Sequence, residues 1–557
     1  MRALASLVFI SIAVFSFTHC GGVTASPATN AGTTATPALP PAPVPPPVTP
    51  PPPPPPPVVT TYHNDPARTG LNAQETVLTP ANVNASQFGK LFAFGVDGQI
   101  YGQPLYLANV SIPGQGTHNV VYVATEHDSV YAFDADGKQQ TPLWHVSFIN
   151  PAAGITTVDS KTDFPVVYDD ISPEIGITST PVIDPATGTI YVVPKTKENG
   201  VFFQRLHALD ITTGAEKFGG PVVIKASTPG GADLNDGNGN AILSPLINLQ
   251  RSALLLQNGI VYLAFASEGD FDPYEGWLLG YDAATLKQVV VFCVTPDGGG
   301  GSIWESGDGP AADSAGNIFV ATSNGDYTAP QGGRDYSDSL LRLVPGNGGL
   351  QIVDWFTPFN FQQMNDQDLD FGSGGMILLP DQASGPAHLA IEGSKDGNLY
   401  VVNRDSMGHS LTANNSQIVQ QLALDGPLFG SLTVFQDNVY ISPIHSPLSQ
   451  YKISGGQLAR VAKAAETFGF PGSSPAVSSN GTSNAIVWTL QVDQFGQGPA
   501  ILHAYDASNV SHELYSSTDA GDRDTAGTAV KFTVPTVING KVYVGNGGQL
   551  TVYGLLP

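Results

Sequence analysis

Cysteine, basic charge and helical period are what this chain of 557 residues has least of. Its two cysteines, Cys20 and Cys293, cannot build a disulfide framework. Cys293 sits in an apolar stretch and reads as a small buried residue. There is no Cys-x-x-Cys-His, which excludes a covalent c-type haem, and no His-Glu-x-x-His zinc motif. Lys and Arg number 22 against 47 Asp and Glu, and without a basic footprint nucleic acid is excluded as a partner. Many of the Asp residues fall in turns, where the side chain bonds its own backbone, so the acidity goes with turn chemistry and solubility. The apolar stretch from Leu4 to Phe17 is too short for a membrane span. A helical period is hard to find after Pro80, whereas two-residue alternation is common. The 62 Gly and 46 Pro fit many tight turns between short strands.

What the chain does have is a recurring phrase. Between Val120 and Gly137 an apolar strand ends in a short polar loop, a second strand follows, and an Asp/Gly turn closes it. A third strand carries an aromatic residue, here Trp144. The phrase returns at Ile190 to Gly214, Ile260 to Thr285, Asn317 to Gly349, Leu389 to Gly408, Asn438 to Gly456, Ala485 to Asn509 and Val542 to Gly554. Copies spaced by roughly 45 to 75 residues, with several short strands each, are the mark of a β-propeller. A lone blade cannot bury both faces of its sheet, so the copies must pack around an axis. The expectation is an all-β, eight-bladed propeller over residues 62–557. Its last blade, short of a strand, would be closed by an N-terminal strand at Lys90 to Phe94, leaving no open edge.

Ahead of this domain, residues 1–25 read as an export signal, with Arg2 as the positive end and Leu4 to Phe17 as the apolar core. Two processing routes stay open. Val23-Thr24-Ala25 has the small-x-small character of an ordinary cleavage site, and Cys20-Gly21-Gly22 looks like a bacterial lipoprotein start with a lipid on Cys20. Residues 26–61 are a proline-rich, disordered linker. Its run from Pro50 to Pro57 would make a stiff spacer of about 25 Å at about 3.1 Å per residue. The expected location is outside the cytoplasm: periplasm, outer-membrane surface or extracellular.

The repeat, with turns such as Ala208 to Gly214 and Ala504 to Asn509, resembles the pyrroloquinoline quinone (PQQ) repeat of quinoprotein alcohol and sugar dehydrogenases, over roughly residues 62–557. The same repeat also builds non-enzymatic propellers, including a lipoprotein of the outer-membrane assembly machinery, so the resemblance implies a fold before an activity. Further phrases resemble the enzymes' sites. Gly298 to Gly307 is similar to their Gly-Gly-x-x-Trp segment, which implies Trp304 as the platform under the quinone. Ile318 to Asp326 and Ala264 to Asp282 resemble the segments that carry their calcium ligands, which implies Asn324 and Glu268 in that role. Met364 to Gly375 and Glu392 to Gly408 resemble a paired acid and cation, which implies Asp368 or Asp370 as the acid and Lys395 as the cofactor-binding cation. Asp338, with Asp335 as its alternative, lies in the loop that implies the general base. The adjacent cysteines of many of these dehydrogenases are absent, with residues 158–175 in their place, and no haem domain is attached.

Two functions follow. One is a binding or assembly module of the cell envelope, with a protein or glycan as partner. The other is a PQQ- and calcium-dependent dehydrogenase of an alcohol or sugar, which would need a separate electron carrier; a propeller hydrolase or lyase is a third, lesser reading. The anchoring alternatives separate on one substitution. If Cys20 carries a lipid, Cys20→Ala moves the protein from the membrane to the soluble fraction on cell fractionation. An unchanged soluble distribution indicates simple secretion.

Overall fold

The opening phrase of the repeat becomes a hairpin. Gly116–Thr125 and Ser129–Asp134 pair antiparallel, from Val120 opposite Asp134 to Thr125 opposite Ser129. Asp128, in the left-handed region at φ 51°, makes the turn between them. The strands Leu105–Ile112 on one side and Trp144–Ser147 on the other complete the sheet. The computed structural model describes residues 56–346 and 349–557, and these form an all-β propeller. The export signal, Cys20 and the linker up to residue 55 lie outside the described residues.

Seven sheets of four or five strands repeat this pattern, where eight regular blades are expected from the repeats. They span residues 105–147, 248–293, 311–356, 376–423, 433–468 and 476–516, and 536–555 together with 88–99. The copy at Ile190 to Gly214 differs: it lies in a branched sheet of seven strands. The reason is the length of Val201–Asp210. Its last four residues pair with Thr189–Val192, while its first four pair with Lys195–Glu198. That second partner leads on to Ile155–Asp159 and Glu174–Ile175, an excursion toward the axis. The regular blade count is therefore seven rather than eight.

Both faces of each sheet are apolar and buried between neighbours. Ile183, Ile190 and Leu209 of the branched sheet pack with Val121 and Phe133 on one side. Tyr191, Leu206 and Ala208 pack with Val261 and Trp277 on the other. Cys293 is buried in that second cluster as an apolar residue, as expected.

The N-terminal strand does close the last sheet. Phe88–Gln99 runs antiparallel along Gly547–Leu555, with Lys90 opposite Tyr553 and Phe94 opposite Leu550. The ordered segment begins earlier than residue 62, because Val58–Val59 already pairs with Leu107 and Tyr106. From there the chain winds across one end of the axis and bonds each innermost strand in turn. The Thr60 carbonyl accepts from the Ile183 N–H, Pro66 from Ala312, Ala67 from Leu378, Thr69 from Val434 and Gly70 from Val477. The Asn72 amide reaches the Val537 carbonyl at 2.7 Å. Gly70 sits at φ 71° against Thr433, where a Cβ would collide. At the centre is Arg68, fully buried, donating to the carbonyls of Pro310 (2.9 and 3.2 Å), Tyr62 (3.1 Å) and Leu254 (3.4 Å) and to the Thr61 hydroxyl (2.8 Å).

Removing that guanidinium leaves several buried carbonyls without a donor, each costing about 1–3 kcal/mol. Arg68→Ala is expected to lower the unfolding free energy by about 3 kcal/mol or more in urea titration, far beyond a typical surface substitution.

Candidate functional site

The end of the axis above this winding segment carries a cavity of about 230 Å³. It is built from the loops that enter the innermost strands. Tyr101, Arg251, Phe429 and Phe532 each stand four residues before such a strand, which begin at Leu105, Leu255, Thr433 and Thr536. Trp304 meets Phe429 and Phe532 edge-on, with ring centroids 6.2 and 5.7 Å away. Its own loop turns through Glu305 and Ser306 at φ 48° and 47°, and Asp270, Asp368 and Phe532 on the wall also have positive φ, at 51°, 54° and 63°. Non-glycine residues in that region store strain, and such strain collects at functional sites.

Cations lie against these rings. The Lys395 ammonium is 5.7 Å from the ring centres of both Trp304 and Phe429. It is held by Asp370 at 2.6 Å and Asp368 at 3.3 Å. Burial acts to lower its pKa, and the charges of Asp370 and Asp368 outweigh burial and raise it, so the ammonium stays charged. The Arg251 guanidinium lies 5.1 Å from the Tyr101 ring and 5.3 Å from Phe532. Lys531 pairs with Asp170 at 3.2 Å. Asp270, bonded by the hydroxyls of Ser267 (3.0 Å) and Tyr274 (3.2 Å), is pushed above the usual carboxylate range by burial and then by the Asp370 charge.

Of the residues singled out in the sequence, Trp304, Lys395, Asp368 and its alternative Asp370 line this one cavity. Asn324 stands just behind the wall. Its amide N–H donates to Asp368 at 3.0 Å, and its own oxygen is buried with no partner. Asp338 is also behind the wall, fully buried, accepting from the Phe371 N–H at 3.2 Å. Burial, and then Asp370, push its carboxyl well above the ordinary range. Asp335 accepts from Asp297 N–H and the Thr328 hydroxyl instead of facing the cavity. Glu268 is fully buried, with one oxygen bonded to the Lys195 ammonium at 2.7 Å and the other unpartnered.

This arrangement separates the two implied cofactors. A planar ring carrying carboxylates would be held by Trp304, Lys395 and Arg251. Calcium takes six to eight oxygens, and Glu268 is already neutralised by an ammonium. Among the described residues no three His, Cys, Asp or Glu side chains come close enough to hold a metal ion. In this structure Glu268 bonds the Lys195 ammonium and the Asn324 amide bonds Asp368.

The sequence reading misses Arg251, Lys531 and the phenylalanines. The available signal is positional: one aromatic or cationic residue four positions ahead of an innermost strand, in at least four loops.

No protein-family model matches the chain, and no curated protein matches it. Solved structures similar to it include BamB from Moraxella catarrhalis, at 14% identity and a TM-score of 0.48, and Sqt1 from Saccharomyces cerevisiae, at 10% and 0.47. The computationally designed Ika8 protein is similar at 12% and 0.45. Each likeness covers 84% of this chain and 99% of the other.

Burial raises the pKa of two fully buried acids, Glu126 and Glu305. Glu126 is pushed up to about 8 and Glu305 to about 7, from an ordinary 4.5. A raised carboxyl binds a proton in the folded state that the unfolded state has released. Its stabilising contribution is full below about pH 4.5 and is lost as pH rises toward 7 and 8. The melting temperature is therefore expected to fall between pH 5 and pH 8 in thermal scans, and Glu126→Gln to flatten that slope.

Proposed function

We propose that this protein is an extracytoplasmic β-propeller binding module whose central cavity takes a sugar ring of a glycan. The observation that carries the reading is the wall itself. Trp304 offers an apolar face of the size of a pyranose, and beside it Asp368 and Asp370, fixed by Lys395, present acceptors for hydroxyls. Aromatic rings interleaved with oriented charged and hydroxyl groups are a usual means of fixing a small polar ligand in a pocket. The location rests on residues 1–25, and lipid attachment at Cys20 would place the propeller on a membrane surface at the end of its proline spacer.

The branched sheet serves, in this reading, as an eighth blade. Its support is that Val182–Asp184 takes its turn, between the first and third sheets, in the series bonded by residues 59–72. The repeat then descends from the PQQ type, and the quinoprotein dehydrogenase remains the second reading. It is favoured by one observation, the convergence of Trp304, Lys395 and Asp368 in a single cavity. In that case the bound quinone would supply the oxidising chemistry. Lys395 would hold one of its polar groups, and a carboxylate such as Asp368 would accept the substrate proton.

Thermal melts separate the two. A ligand at 100 times its Kd adds about 2.7 kcal/mol of stability. Neutral mono- and disaccharides are expected to raise the melting temperature, and Trp304→Ala to abolish the rise while leaving the fold intact by circular dichroism. A rise with PQQ and calcium, and none with sugars, would replace the glycan reading by the quinoprotein one.

A further inference from the structure

We infer that the ring in this cavity is an acidic sugar whose carboxylate seats on Arg251. The inference rests on the glycan reading and narrows it to a uronic acid class.

Arg251 is the odd cation of the site. It is 3% exposed, and among the described residues no carboxylate lies within ion-pair distance of it, whereas Lys395 and Lys531 are both paired. Two of its nitrogens donate to backbone carbonyls, Thr178 at 3.1 Å and Ser306 at 3.0 Å. A guanidinium has five N–H groups in a planar fork, so three remain. Its plane is fixed between Tyr101 and Phe532, and Gly307, at φ 103°, is pressed so close that a Cβ there would lie 3.0 Å from the guanidinium carbon. A buried charge without a counter-charge is costly. Here that charge is held rigid on the wall of a cavity.

The remaining charges of the cavity set the ligand's charge. Lys531 is matched by Asp170, and Lys395 by Asp370 with a share in Asp368. Asp270 is bonded by the hydroxyls of Ser267 and Tyr274, and burial and then the Asp370 charge raise its pKa. Arg251 is thus the one cation of the wall without a carboxylate partner, and beside four aspartates it suits a single carboxylate better than a phosphate dianion. Carboxylate and guanidinium match as a two-toothed pair, which would orient the sugar with its hydroxyls toward Asp368 and Asp370. The same guanidinium would receive a carboxylate of the tricyclic quinone, so the two sources of this chemistry need separate arms in the test.

The full chain is titrated by calorimetry with methyl glucuronide, methyl glucoside and PQQ. Glucuronide is expected to bind at least ten times more tightly than glucoside. Arg251→Gln is expected to remove that preference, while Asp368→Asn weakens both sugars alike. Equal binding of the two sugars by the unaltered protein overturns the inference and leaves the glycan reading standing, and this comparison needs no variant to fold. A glucuronide preference that survives in folded Arg251→Gln overturns it too. Binding of neither sugar at about 10 mM, beyond the weak end of specific affinity, overturns the inference and the glycan reading together, and binding of PQQ alone assigns Arg251 to the quinone.

Discussion

The ring depends on one stretch of backbone. Residues 59–72 pass across the axis and offer a carbonyl or a side chain to the innermost strand of each successive sheet. Packing between propeller blades is apolar and without direction, so it does not by itself say how many sheets stand in the circle. Hydrogen bonds do. Each bond from this segment assigns a sheet its place, and Arg68 at the middle ties the Tyr62, Leu254 and Pro310 backbones to one planar group. The pairing of Phe88–Gln99 with the last sheet then removes the final open edge.

This arrangement also makes the cavity. With one end of the axis covered by backbone, the loops at the other end converge over a floor. The Tyr62 hydroxyl lies 2.9 Å from Ser431, two residues from Phe429 in the cavity wall. Charges in so enclosed a place must be balanced locally. Lys195 balances Glu268 across two sheets, Lys395 balances Asp370, and burial raises the pKa of Glu126. Arg251 stands apart from that pattern.

The sequence carries the strands, their hairpins and the closing strand legibly, because alternation and turn residues are local properties. It carries Trp304, Lys395 and Asp368 as neighbours only through resemblance, since nothing local forces three separate loops to one point. The winding segment is invisible for a physical reason. It acts through backbone carbonyls, which every residue has, and Thr60 or Pro66 has no side chain that announces its role. The regular blade count is misread because the excursion at residues 155–175 borrows the front half of Val201–Asp210, and a strand's second partner leaves no periodic trace. Lys195, 73 positions before Glu268, is hidden in the same way, and the ion pair it makes with Glu268 is not legible in the sequence.

The closing pair joins Phe88–Gln99 to Gly547–Leu555, so the segment synthesised early must wait for the one synthesised last. Until residue 555 is available the ring has two open ends, and Phe88–Gln99 has no strand partner. Contacts of such long sequence separation form slowly, and the waiting chain exposes strand edges that invite association. A protein of this construction becomes stable only when it is whole. Nothing in its first several hundred residues can lock into a finished ring ahead of the strand that closes it.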